Sequence, residues 1–130
     1  RYVMGKFVVK ETSNDGFKFD LLAGNGEVIA SSQTYKTKSG CQNGIESVKK
    51  NAVDAPVEDQ TVEGFATEKN PKFELYKDKA GEFRFRLKAT NGQIIATSEG
   101  YKSIYGCKNG VESVRRNSVE PKIVVVETKE

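Results

Sequence analysis

A chain of 130 residues with 36% hydrophobic side chains fits one domain with a modest core that folds without staples. Its 21 Lys and Arg against 18 Asp and Glu leave a formal charge of +3, a balance that serves solubility first. It contains no histidine and only two cysteines, which removes the commonest general base, the commonest metal ligand, every Ser-His or Cys-His nucleophile pair and the four-ligand set of structural zinc.

No apolar run is long enough to span a membrane, and no charged-then-apolar leader opens the chain. The expectation is a soluble, cytoplasmic protein with both thiols reduced. Arg1–Val3 read as an appendage ahead of a natural Met4-Gly5 start.

In chain order, "KFVVKE" from Lys6 predicts a strand, "SNDG" a turn, and "FKFDLLA" from Phe17 a second strand whose period-two alternation puts Phe17, Phe19, Leu21 and Ala23 on one face. Asn25-Gly26 predicts a two-residue type I′ hairpin. That register sets Ala23 opposite Val28 and Leu21 opposite Ala30, with Val28, Ala30 and Ser32 on the phenylalanine face and Ile29 outward. Thr37 then stands as a helix N-cap, and Cys41, Ile45 and Val48 fall on one helical stripe. Gly44 sits mid-helix where close approach to the sheet explains it, Lys49-Lys50 offset the helix dipole, and Asn51 suits a left-handed C′ position.

Everything then happens again. Shifting the chain by 66 residues aligns 6–53 with 72–119 without a gap, and 22 of the 48 positions are identical. "KFELYK", "FRFRLKA", Asn91-Gly92, Ser103 and the helix of Cys107, Val111 and Val114 repeat the order, with Ile94, Ala96 and Ser98 inward and Ile95 outward. The chain is therefore one domain of two repeats, about 5–66 and about 71–130, joined by 54–71 with one short strand around "QTVEGF". Features present in both copies belong to the shared fold before they belong to an active site. Cys41 and Cys107, on the buried helix stripes, read as small hydrophobes and not as nucleophiles.

The combined pattern of "A-x-N-G-[EQ]-[VI]-I-A-[ST]-S", "Y-K" and "G-C-x-N-G-[IV]-E-S-V-[KR]-[KR]-N" resembles the YegP-like family, a bacterial domain of unknown function found as single or tandem repeats. The resemblance implies an α+β fold: two β-β-β-α-β repeats forming one antiparallel sheet, two helices on one face, and the C-terminal strands exchanged between repeats. It implies no reaction, cofactor or catalytic residue. "KIVVVE" at 122–127 is a far stronger strand than "TVEGF", so an unequal exchange is expected.

Three classes of function compete. A non-enzymatic interaction module would meet a protein partner or ligand on the helix-free sheet face, where Ile29 and Ile95 recur as outward isoleucines. Weak electrostatic nucleic-acid binding would use the outward row Arg84, Arg86 and Lys88, since residues 71–130 hold 12 basic against 8 acidic side chains. Base stacking would need outward aromatics, but Phe83 and Phe85 of that strand point into the core, and only Tyr76, in "KFELYK", is a weak candidate. An enzyme would need chemistry at Glu46 and Glu112, which read as i,i+4 partners of Lys50 and Arg116, or at Ser47 and Ser113, which have no base. No glycine loop for phosphate and no metal constellation is present. The reading is a monomeric interaction module without cofactor, metal or membrane span.

Overall fold

A computed structural model describes residues 5–119 and the backbone of 122–129, so the expected appendage at Arg1–Val3 lies outside the described residues. In chain order the elements are β1 (Lys6–Glu11), β2 (Phe17–Leu22), β3 (Val28–Ser31), α1 (Lys38–Asn51), β4 (Val57–Asp59), β5 (Lys72–Lys77), β6 (Phe83–Lys88), β7 (Ile94–Thr97), α2 (Ile104–Asn117) and β8 (Lys122–Lys129). The strand between the repeats is thus Val57–Asp59, and "QTVEGF" is a run of turns after it.

All eight strands join in one sheet of order β4-β5-β6-β7-β3-β2-β1-β8. Each repeat lends its last strand to the other: β4 pairs with β5, and β8 pairs with β1. Both exchanged strands run parallel to their neighbours, while every other pairing is antiparallel, so the sheet is mostly rather than wholly antiparallel. Ser31 pairs with Thr97, its own counterpart 66 residues on, and this places a pseudo-two-fold axis between them, normal to the sheet. That is the single ladder pair joining β3 to β7, whereas β8 contributes six pairs with β1 and β4 three with β5. The exchange is unequal, as the strength of "KIVVVE" implies, and it carries most of the backbone pairing between repeats.

The hairpin turns differ from the type I′ expectation. Gly26 N–H donates to the Ala23 carbonyl (2.9 Å) and Ala23 N–H to the Glu27 carbonyl (2.8 Å), which makes a three-residue loop whose one positive φ is at Gly26 (88°). Gly92 (84°) does the same between Ala89 and Gln93. A type I turn followed by a left-handed glycine needs no second positive φ, and so Asn25 keeps an ordinary backbone. Its side chain instead accepts from Glu27 N–H at 3.0 Å. The extra loop residue makes Leu22 pair with Val28, and a β-bulge then restores the expected Leu21–Ala30 pair.

The bulge inverts the expected alternation beside it. Val28 and Ile94, read as inward, are each 40% exposed, whereas Ile29 and Ile95, read as outward, are 8% and 6% exposed and belong to the contiguous core. Elsewhere the alternation holds. Phe7, Phe19, Phe73 and Phe85 are fully buried, each burial worth roughly 2–3 kcal/mol, and they meet in edge-to-face pairs with centroids 5.6 Å (Phe7–Phe19) and 5.9 Å (Phe73–Phe85) apart.

Both helices lie on this phenylalanine face. Thr37 Oγ1 accepts from Gly40 N–H (2.9 Å) and Ser103 Oγ from Gly106 N–H (3.0 Å), the expected N-caps. A Cβ on Gly44 would collide with the Tyr35 hydroxyl and press on Phe19, and one on Gly110 would meet Tyr101 and Phe85 in the same way. The bare helix face is what admits the tyrosine ring, which stacks over the phenylalanine at 6.5 Å in one repeat and 6.3 Å in the other. The helix ends differ from expectation: residues 52 and 118 are right-handed, and the amides of Asn51 and Asn117 turn back one helical turn to Ser47 (3.1 Å) and Ser113 (3.1 Å).

Candidate functional site

The row Arg84, Arg86 and Lys88 lies on one face of β6, as read from the sequence, but it is not a bare phosphate clamp. Arg84 Nε donates to Asp78 (2.7 Å) and its Nη1 to the Ser98 carbonyl (3.1 Å). Arg86 Nε donates to Glu74 (2.7 Å) while its guanidinium sits 4.5 Å from the Tyr76 ring centroid. Lys88 Nζ is 3.3 Å from the same Glu74 carboxylate. Each cation already has a carboxylate, and Tyr76 is occupied by Arg86.

Behind that row is a buried ion network that has no equivalent, among the described residues, at the positions 66 residues away. Lys72 Nζ, in a residue 7% exposed, lies 2.7 Å from Glu58 and 3.3 Å from Glu74, which are 2% and 4% exposed. Glu58 also accepts from Gln60 Nε2 (2.7 Å) and from the Glu68 backbone N–H (2.8 Å), so the connection between repeats folds back over it. The ammonium of Lys72 holds the Glu58 carboxyl down at about 2, and Glu58 in turn raises Lys72. Glu74 is lowered by Arg86, Lys72 and Lys88 against the opposing effect of burial. At the positions related to Glu58, Lys72 and Glu74 by the 66-residue shift stand Val124, Lys6 and Val8. The signal was present in the sequence: pairing "KFELYK" with "FRFRLK" as a hairpin sets Glu74 against Arg86.

Ile29 and Ile95 are core residues and present little surface. What is exposed beside them is Val28 and Ile94, which with Ile29, Ser31, Gln33, Thr97 and Glu99 line an open cleft of about 480 Å³ between β3 and β7.

Both thiols are fully buried, and burial pushes each up to about 11. A group so placed supplies almost no thiolate at neutral pH. DTNB is expected to label neither Cys41 nor Cys107 in the native protein and both in denaturant; rapid native labelling would overturn the structural assignment. Glu46 pairs with Lys49 (3.8 Å) and Glu112 with Arg115 (3.2 Å), three residues on and not four, which leaves Lys50 and Arg116 without an acidic partner among the described residues. Ser47 and Ser113 are hydrogen-bond partners of the helix-end asparagines. Among the described residues no group of His, Cys, Asp or Glu is arranged to hold a metal, and no helix is long and apolar enough to cross a membrane.

A family profile described as a domain of unknown function, DUF1508, matches residues 13–59 and 78–124, once in each repeat. The chain is 38% identical to a UPF0339 protein of the ptx operon 5′ region of Stutzerimonas stutzeri, over 94% of this chain and 96% of that one. With the UPF0339 protein YegP of Yersinia pestis it shares 37% identity over 89% and 90%. A UPF0339 protein of Methanosarcina acetivorans is 55% identical across 97% of its own length but 43% of this chain, the extent of one repeat. The structure superposes on the solution NMR structure of E. coli yegP, a protein of unknown function, with a TM-score of 0.81 at 28% identity, covering 100% and 99% of the two chains. For a UPF0339 protein of Shewanella oneidensis the TM-score is 0.76 at 38% identity, covering 95% and 92%.

Proposed function

Since the chain belongs to the DUF1508 family, whose function is unknown, we propose from its own geometry that it is a non-enzymatic interaction module. The observation that carries this reading is the state of its ionisable groups. Among the described residues, those that depart from their ordinary values are buried thiols, half-buried phenols or members of ion pairs on the sheet and its turns, and none of them lines one of the clefts. The cleft between β3 and β7 is lined by Val28, Ile29 and Ile94 with hydroxyls, the Gln33 amide and one carboxylate, Glu99, a set that can hold a ligand or side chain but offers no second ionisable group to complete an acid–base pair. The chain closes both exchanged strands upon itself, which supports a monomer, and two unpaired thiols support a reducing, cytoplasmic location.

The test is catalytic. Purified protein is assayed against ester, phosphoester, peptide and glycoside chromogenic substrates, beside a Glu46→Gln/Glu112→Gln/Ser47→Ala/Ser113→Ala variant. No turnover above background is expected from either. Turnover that tracks the protein through purification and disappears in the variant would overturn the reading.

A further inference from the structure

The charge of this molecule is unevenly divided along the chain. The two helices together with the two residues that precede each, 36–51 and 102–117, hold eight of the 21 Lys and Arg but only two of the 18 Asp and Glu, a net +6 against −3 for the rest of the chain. The formal +3 of the whole conceals this. Both repeats contribute equally: Lys36 matches Lys102, and Lys49-Lys50 match Arg115-Arg116. At the last pair the residue type has changed between copies while the charge has not. Helix-dipole compensation accounts for a cation in each last turn but not for Lys36 and Lys102, which precede the helices.

The structure sharpens this into a surface. Lys36, Lys50, Lys102 and Arg116 are all exposed, and among the described residues none has an acidic partner, in contrast to the β6 row. Lys49 and Arg115 take up the helix glutamates. Exposed amides of Asn43 and Asn109 lie on the same helices. Because the pseudo-two-fold axis is normal to the sheet and both helices cover one face, the two basic sets are related by an axis that emerges through the helix layer.

From these observations we infer that the helix layer is a docking surface for the phosphate backbones of double-stranded nucleic acid. The two strands of a duplex are themselves related by dyads normal to its axis, so a pair of dyad-related cation sets can meet one strand each. A single strand is a poorer match, since stacking platforms are needed and Tyr105, 76% exposed, is the lone aromatic on the outer helix surfaces. An anionic membrane is poorer still. A surface-seeking helix turns its apolar stripe to the lipid, but here Cys41, Ile45 and Val48, and Cys107, Val111 and Val114, are buried against the sheet. The contacts are to backbone and carry no sequence preference. The inference rests on the interaction-module reading only in taking the chain to be a binder.

The experiment is fluorescence anisotropy of the full chain with a labelled mixed-sequence DNA duplex of about 30 base pairs, long enough to span several helical turns, titrated at several salt concentrations. The Lys36→Glu/Lys50→Glu/Lys102→Glu/Arg116→Glu variant is compared with Arg84→Gln/Arg86→Gln/Lys88→Gln. All four helix-layer positions are exposed, and an unchanged thermal midpoint and circular dichroism spectrum establish that the reversal variant is folded. Wild type is expected to bind at low salt with a log–log salt slope of about −3 to −4, from four phosphate contacts. The helix-layer variant is expected to lose at least about tenfold in affinity and to flatten that slope, while the β6 variant keeps both. No binding by wild type at low salt, loss confined to the β6 variant, or binding to phosphatidylserine vesicles without binding to duplex would each overturn the proposal. Those outcomes leave the interaction-module reading standing, which turnover alone removes.

Discussion

Replacing Lys72 by methionine is expected to cost about 3–5 kcal/mol of stability, as much as truncating a large side chain of the core. The ammonium sits between two carboxylates that are themselves buried, at 2.7 Å from Glu58 and 3.3 Å from Glu74. Removing it leaves Glu58 without a cation, a far greater penalty than the pair's net contribution while intact. Glu74 keeps Arg86 and Lys88. The pH dependence should change sign with the substitution. In wild type, Glu58 titrates at about 2 in the folded state against an ordinary 4.5, so its contribution is fully present above about 4.5 and is lost as pH falls toward 2. In the variant the buried carboxyl has lost the charge that held it down. Burial then raises it above its unfolded value, and stability should rise as pH falls from neutrality through that raised value. Urea midpoints for both proteins between pH 3 and 8 check this. A variant within about 1 kcal/mol of wild type, with the same pH slope, would show Glu58 to be solvated rather than buried.

The fold was legible where periodicity and duplication spoke together. Two-residue alternation placed Phe19, Leu21, Phe85 and Leu87 correctly, and helical spacing placed Cys41, Ile45, Val48 and their counterparts. The failures cluster around one physical fact. Asn-Gly predicts a two-residue loop, but the loop has three residues, and the one-residue difference propagates until a bulge absorbs it. Side-chain direction has period two, so Val28 and Ile29 exchanged burial between expectation and structure. The proposed contact isoleucines vanished into the core with them. The pinning of Arg84, Arg86 and Lys88 is not legible along β6 alone, because their carboxylates, Glu74 and Asp78, come from the neighbouring strand and the turn after it. Nor does composition reveal a net charge divided between layers, because the sum over the chain cancels it.

Neither repeat owns a complete sheet. The first repeat's β1 is closed by β8 from the second, and the second's β5 by β4 from the first, while the repeats otherwise meet through the lone Ser31–Thr97 ladder pair and helix packing. A fragment of residues 68–130 carries β5, β6, β7, α2 and β8, and its β8 has no β1 to join. The β5 of a second fragment is the matching acceptor, since Phe73 stands where Phe7 stands in the intact chain. Each fragment should therefore lend its last strand to the other, turning the pseudo-two-fold of the parent into a true two-fold axis. A piece of about 60 residues is also near the size at which a lone domain is marginal, so dimerisation and folding should be one event. The effect expected is complete: folded dimer or unfolded chain, with a thermal midpoint that rises with concentration. The decisive measurement is multi-angle light scattering on folded fragment 68–130 beside the full chain. Exchange predicts a dimer mass for the fragment and a monomer mass for the full chain; a fragment that is folded and monomeric would contradict it.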